Sequence, residues 1–358
     1  MAVSETAGAG RSHPSAPSGL AAARAADWRE RLTMLGAIAA YACLSGFGGP
    51  LLRHLIPGSF APLFAASGPA ERHVDQQQLL GAVVVLLTAP GAIAAEALVV
   101  GWRGSSLRRM FGGVSASIKT DVAFFALSHV QFTDIVGKVM MLGASMASGL
   151  WLRRWIALRL GVEVDLGGLF WPARVAVYFA IFTFLGYWAH RLYHTRVFWP
   201  LHRYHHAATD FSVINAERAH PAAVLETFLI NLPMAALGAS PLVLIYVNAL
   251  AHGQSLITHS RIDSDWGWFG RWVLQSPNHH RMHHKLDITR PTGNFSLLPI
   301  WDHLFGTWDG EAGPSLVIGV DAPYRHGLWI WPDVWRDFCE FCRGLAPPKS
   351  TVRSGGTA

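Results

Sequence analysis

Long apolar runs bounded by basic or turn-forming residues occupy about half of the chain up to residue 253. The first is Leu32–Leu52, preceded by Arg29 and Arg31. The second, Leu79–Trp102, is interrupted by Pro90-Gly91 and carries Glu96. The third, Val122–Leu152, is less clean because it holds His129, Asp134 and Lys138. The fourth is Trp171–Trp188. A helix crossing a bilayer needs about 20 residues at about 1.5 Å rise each, so these four runs are read as spans. Ala222–Gly253 is broken at Gly238-Ala239-Ser240-Pro241. Proline cannot continue a helix, so this stretch is expected to form two helices joined by a tight turn. Such a hairpin enters and leaves on one side of the membrane.

That layout makes a topological claim. His190 follows the fourth span, and His202, His205 and His206 come soon after. The hairpin returns the chain to the same side, where His279–His284 lie. All three clusters are therefore expected on one membrane face, and an N-terminus inside puts that face in the cytoplasm. Arg153, Arg154 and Arg159 would then lie outside, against the positive-inside bias. Either 122–152 does not fully cross, or the bias is broken locally. After His284 the chain turns more polar and turn residues appear: Pro291, Gly293, Gly306, Gly310 and Gly313. The expected fold is an all-α integral membrane protein: transmembrane helices with a membrane-face cap that holds a histidine-rich dimetal site. The expected divisions are a disordered tail at 1–27, an accessory N-terminal transmembrane region at 28–165, a box-bearing domain at 166–312 and a C-terminal cap and tail at 313–358.

Composition agrees with this pattern. Hydrophobic residues make up 51% of the 358 and charged residues 15%, against about 25% charge in an ordinary soluble domain. So little charge excludes most cytosolic enzymes, disordered scaffolds and collagen-like chains. The net charge of +6 comes from scattered basic residues, many of them beside apolar runs (Arg103, Arg108, Arg109). Orientation and headgroup contact explain them, and no nucleic-acid partner is expected. Three cysteines make no disulfide framework. Cys339 and Cys342 have redox or zinc spacing but no second pair, and read as incidental thiols on a terminal helix.

Histidine carries the chemistry. Of 18 histidines, twelve fall between His190 and His284. Three boxes stand out: His190-Arg-Leu-Tyr-His194, His202-Arg-Tyr-His205-His206, and His280-Arg-Met-His283-His284 with His279 before it. Residues three and four apart share a helix face, so each box aims two or three imidazoles one way. Imidazole suits Zn, Cu, Fe and Ni. Structural zinc takes four ligands and favours cysteine, so eight histidines exceed one zinc's need and fit two metals. HExxH is absent, which removes the zincin protease reading. Bis-histidine haem needs pairs on facing helices, and doublets such as His205-His206 suit it poorly. His13, His54, His73, His129 and His326 lack patterned neighbours and read as structural. A zinc membrane hydrolase and a non-catalytic metal-binding or transport protein remain as rivals to an oxygenase.

These boxes, with the tail Trp301-Asp302-His303-Leu304-Phe305-Gly306-Thr307, resemble the fatty acid hydroxylase/sterol desaturase superfamily. The likeness covers about residues 175–311. The doubled histidine at the third box resembles the branch containing alkylglycerol monooxygenase and bacterial lipid hydroxylases. Thr195, Ser212 and Thr292 depart from that branch. The resemblance implies that 166–312 is the catalytic domain. It implies a non-haem di-iron centre held by His190, His194, His202, His205, His206, His280, His283 and His284. His259 takes a further ligand position, and His279 is a ligand or the neighbour of one. His252 is either a ligand or a polar contact. Arg218-Ala-His220-Pro221 resembles the family's RxHP element. Arg218 would pair a carboxylate or hold loop backbone; His220 would bond a ligand or cap a turn. Asn294 and Asp302 would orient ligand imidazoles or serve the cap structurally. The implied activity is hydroxylation or desaturation of a lipid C–H, with O₂ as co-substrate. The implied electron donor is a separate protein of cytochrome b5, ferredoxin or reductase kind. Tyr193, Phe198, Trp199, Tyr204, Trp266 and Trp268 would line a lipid path or, more plainly, form an interfacial aromatic belt.

Overall fold

The computed structural model describes residues 76–111, 115–130, 133–286, 293–310 and 317–345. The expected tail at 1–27, the run Leu32–Leu52, Cys43, His13, His54, His73 and Thr292 lie outside these residues, as do the side chains of His129, Asp134 and Lys138. Every regular element among the described residues is a helix, apart from one isolated bridge between Lys285 and Ile318. The all-α expectation holds.

Helix α1, Gln76–Gly104, runs through Pro90 and ends beyond Gly101, whose φ of 73° suits glycine. A short helix, α2 (Ser106–Phe111), follows. The third apolar run is not one span. It is divided between α3 (Ala116–Val130) and α4 (Thr133–Leu160). The sequence carries polar His129 and Asp134 close to this division. Only 14 residues separate Lys138 from Arg153 in α4, short of the roughly 20 a crossing needs. Helix α5, Trp171–Tyr193, has Pro172 in its first turn, where the missing N–H costs nothing. By length and composition α5 alone among the described helices could cross a bilayer.

After α6 (Trp199–His206) the expected hairpin appears. A 3-10 turn at Pro221–Ala223 leads into α7 (Val224–Ala236), and α8 (Pro241–Thr258) follows. The turn between them has Gly238 at φ 91°. The Ser240 side chain accepts the Val243 N–H and starts α8 with Pro241 behind it. Helices α5, α7 and α8 share the main core, with Tyr178, Met234, Val243, Leu244 and Val247 fully buried. The boundary expected at residue 165 is crossed by packing. Helix α4 lies along α7, where Gly149 sits so close to Ala235 that any Cβ would collide. Helix α1 lies along α8. The remaining helices are α9 (Gly267–Trp272), α10 (Pro277–His283), α11 (Ile300–Leu304) and α12 (Trp331–Leu345). Helix α12 packs across α6.

Candidate metal centre

Nine imidazoles converge in two groups. His190, His194, His202, His206 and His283 form one; His205, His259, His280 and His284 form the other. Within each group the ligand-capable nitrogens all lie within 4.8 Å of one another. Helical spacing explains the division. Each pair four residues apart stays together: His190 with His194, His202 with His206, His280 with His284. The odd histidine of each HxxHH box turns to the other group. His205 leaves its box for the second group and His283 leaves its box for the first. The His205 and His206 rings stand at 81° to each other, as do those of His283 and His284. His206 and His284, from different groups, stack at 4.2 Å and join the two.

Local sequence sets these helix ends. His194 caps α5, its N–H bonding the His190 carbonyl. Ser276 caps α10 by accepting the His279 N–H, with Pro277 in the first turn. His284 caps the other end of α10, and His259 caps α8.

Three rings are oriented by backbone carbonyls. His190 Nδ1 lies 2.7 Å from the Phe295 carbonyl, His283 Nδ1 2.7 Å from that of Gly293, and His259 Nδ1 2.7 Å from that of Ser255. The N–H on each Nδ1 donates outward, so Nε2 is left with its lone pair facing the group. Metal-ligating histidine normally anchors its far nitrogen in this way. The Nε2 atoms then crowd: 2.9 Å for His190–His202, 3.2 Å for His205–His259, 3.0 Å for His259–His280 and 3.2 Å for His280–His284. Two nitrogens each about 2.1 Å from a shared ion, at right angles, would stand about 3 Å apart. His206 Nε2 and His283 Nε2 are buried with no hydrogen-bond partner. Buried orphan acceptors need an explanation, and an ion supplies one. The residues therefore fit metal.

Electrostatics agrees. Burial, reinforced by neighbouring imidazoles, drives the proton affinity of His194, His202, His205, His206, His280 and His284 well below the usual histidine range. Burial does the same at His283. At His259 burial pushes the value down to about 4. All eight are neutral at pH 7 and present lone pairs, as metal binding requires.

The other expected residues have different places. His279 stands outside both groups. Adjacent helix positions point about 100° apart, so its ring turns from the site to Ser276 Oγ at 2.8 Å and to Trp308 at 4.6 Å. His252 is also outside, bonded to Glu217 at 2.6 Å, which is the polar-contact alternative. His220 touches no box imidazole. Its Nδ1 accepts the Ala222 N–H and its Nε2 reaches the Val334 carbonyl, so it caps the turn before α7. Arg218 pairs a carboxylate: its guanidinium lies 2.6 Å from Asp121 on α3, both side chains fully buried.

The Asp302 and Asn294 side chains bond no box imidazole, but they shape the strap that does. Asp302 accepts the Phe295 and Ser296 N–H groups and the Thr307 hydroxyl. Asn294, at φ 60°, bridges the His279 and Asp309 carbonyls. Gly293 passes so close to the Thr307 carbonyl that a side chain would collide. Together they aim the Gly293 and Phe295 carbonyls at His283 and His190. Sequence reasoning missed those carbonyls, which have no side-chain signature; Asn294, Asp302 and Gly293 were the available signal. It also missed the parts played by Glu96 and Asp121. Buried Glu96 accepts the backbone N–H groups of Ser106 and Arg261, the latter two residues past His259.

The aromatic set does not act as one. Tyr193 stacks on His202 at 5.3 Å, and Trp199 meets His194 and His206. Tyr204 and Trp266 are buried in core, Phe198 meets Phe341, and Trp268 is exposed.

An all-helical protein with two adjacent all-imidazole groups, each able to hold a metal ion, is the class that fold and site define. Residues 175–307 match the fatty acid hydroxylase family, the family that the boxes resemble. The chain is 32% identical over 169 residues to ornithine lipid hydroxylase OlsE of Rhizobium tropici, covering 44% of this chain and 51% of the relative. It is 28% identical over 169 residues to alkylglycerol monooxygenase of Xenopus tropicalis, covering 43% and 37%. Methylsterol monooxygenase 2-2 of Arabidopsis thaliana is 28% identical over 148 residues, covering 38% and 53%. The chain thus spans about half or less of the length of these relatives. No solved structure matches.

Proposed function

We propose that this protein is a membrane-bound di-iron oxygenase that hydroxylates or desaturates an unactivated C–H of a lipid. O₂ is the co-substrate, and a separate cytochrome b5-, ferredoxin- or reductase-like protein supplies electrons. The observation that carries this reading is the pair of adjacent imidazole groups, one wholly buried and the other partly buried. One iron would be held by His190, His194, His202, His206 and His283, the other by His205, His259, His280 and His284. Bound there, the two irons supply the redox chemistry for O₂ activation.

The chain's own residues do the rest. The carbonyls of Phe295, Gly293 and Ser255 fix ring orientation. Phe295 packs on His190, His194 and His283, and Phe211 on His259 and His284. These rings keep water from the imidazoles and keep the surroundings apolar, which suits a C–H substrate. The relatives are named for an ornithine lipid, an alkylglycerol and a methylsterol, which supports a lipid substrate class.

The protein is a multi-pass membrane protein with the site at its cytoplasmic face. Helix α5 supplies one crossing with box one at its end, the apolar run Leu32–Leu52 is read from the sequence as another, and Leu87, Leu98, Leu225 and Leu229 on α1 and α7 are exposed as lipid-facing residues would be. Residues 166–312 form the catalytic domain on the accessory region 28–165.

The test is metal analysis of the purified chain beside lipidomics of cells with the gene, without it, and with His205→Ala. The expected result is about two irons per chain and a lipid product lost in both the deletion and the variant. Zinc without iron would favour the hydrolase instead. No lipid difference in aerobic cells would overturn the reading.

A further inference from the structure

Helix α12 is amphipathic the wrong way round for a helix on a soluble protein. Its buried positions include Asp333 and Asp337 as well as Val334. Asp337, with Glu340, clamps Arg203 of the second box at 2.7 and 2.6 Å. A separate stripe, Trp331, Trp335, Cys342 and Leu345, falls at helical spacing and is exposed. Trp335 is 66% and Leu345 58% exposed, and the approach to the helix adds Leu328 at 68% and Trp329 at 71%. A contiguous apolar surface of this kind marks an interaction site.

Three observations say what covers it. Tryptophan dominates the stripe, and tryptophan is the residue of the membrane–water interface. The helix also sits at the end of the crossing. Phe341 meets Phe198 at 5.4 Å, and Gly344 lies against Val197, four residues past the end of α5. Cations flank that contact: Arg196 and Arg343 are exposed, each next in sequence to one of the touching residues, and Arg191 is exposed in the last turn of α5. An apolar helix face rimmed by arginine at the level where a span emerges matches an anionic bilayer surface.

We propose that α12 lies flat on the membrane, its Trp331–Trp335–Leu345 face among the acyl chains, with Arg343 and the neighbouring Arg196 and Arg191 at anionic headgroups. The same helix holds the second histidine box through Arg203, so the bilayer fixes the level of the site. This rests on the membrane reading of α5.

The test uses the full-length chain in vesicles, with Cys43→Ser and Cys339→Ser leaving Cys342 for an environment-sensitive fluorophore. Labels at Asp321→Cys, on an exposed loop, and at Val177→Cys, on α5, serve as controls in the same background with Cys342→Ser. Vesicles are phosphatidylcholine with or without phosphatidylglycerol, and quenchers are doxyl lipids and aqueous iodide. The expected result is a blue-shifted Cys342 label, quenched several-fold more by doxyl lipid than the Asp321→Cys label and protected from iodide. Protection should be greater with phosphatidylglycerol, and Trp331→Ser/Trp335→Ser should abolish it. Iodide quenching at Cys342 equal to that at Asp321→Cys overturns the proposal. Protection from iodide without doxyl quenching also overturns it, since a protein would then cover the face. If the Val177→Cys label also escapes doxyl quenching, the membrane reading itself falls; if that label is quenched while Cys342 is not, only the α12 proposal falls.

Discussion

The two imidazole groups are built alike but held differently. The five-histidine group gathers side chains from α5, α6 and α10, and three of its members are half-buried. It depends on the strap at 293–296, which Asp302 pins from the C-terminal side and which Asn294, within it, ties to the His279 and Asp309 carbonyls. The four-histidine group is wholly buried. Its anchor, His259, bonds a carbonyl of its own helix, and the loop after it is tied to α1 through Glu96 and Arg261. One group is therefore more accessible and hangs on a loop; the other is closed and hangs on a helix. The difference teaches that the N-terminal region supports the four-histidine group through the loop after His259, and that metal ions bound in the two groups should differ in how easily they exchange.

The largest effect should come from His284→Ala. It removes a member of the closed group and the ring stacked on His206, so metal analysis should show loss of the metal in that group and partial loss in the other, with lipid product abolished. Retention of both metals would break the comparison. Next is Arg218→Ala, which leaves Asp121 buried and unpaired. Its expected cost is about 3–5 kcal/mol, read by thermal or denaturant unfolding in detergent, because an uncompensated interior charge is strongly unfavourable. It should weaken both groups equally, since Arg218 touches neither.

A smaller and selective effect is expected from Asp302→Ala. Loosening the strap should weaken metal at the five-histidine group by about tenfold, leaving the other group occupied, as measured by competition with a chelator. Equal loss at both would deny that the groups have separate supports. Acid should act on both. The imidazoles bind protons less readily when folded than unfolded, so their contribution is present above about pH 6.5 and is lost as pH falls toward about 4, the folded value at His259. Metal retention and melting temperature should decline across that window and stay level above it. The smallest effect belongs to His279→Ala. Outside both groups, it should leave metal content unchanged and cost only its Ser276 and Trp308 contacts.

Much of the site was legible before the fold was known. The boxes state their own pairing, because a spacing of four residues puts two imidazoles on one helix face. The hairpin was legible from Gly238 and Pro241. For the third apolar run the sequence left open whether 122–152 crosses, because its many apolar residues mask a break marked by only a few polar ones; α3 and α4 are separate helices. Of the two places expected for His279, a ligand or the neighbour of one, the structure shows it outside both groups and next to His280. A histidine beside a box looks like part of it, yet one helical step rotates it away. The carbonyls of Gly293 and Phe295 could not be read at all, since every residue has one.

By itself the sequence determined what is local: helical segments, their caps, and which histidines travel in pairs. Those follow from backbone geometry over a turn or two. Only the tertiary structure decided that His205 and His283 cross to the opposite group, that Asp121 meets Arg218 from 97 positions away, and that Glu96 supports the loop after His259. Such contacts depend on how α1, α3, α8 and α10 pack, and packing is set by the shape of whole helix faces rather than by the residues that eventually meet.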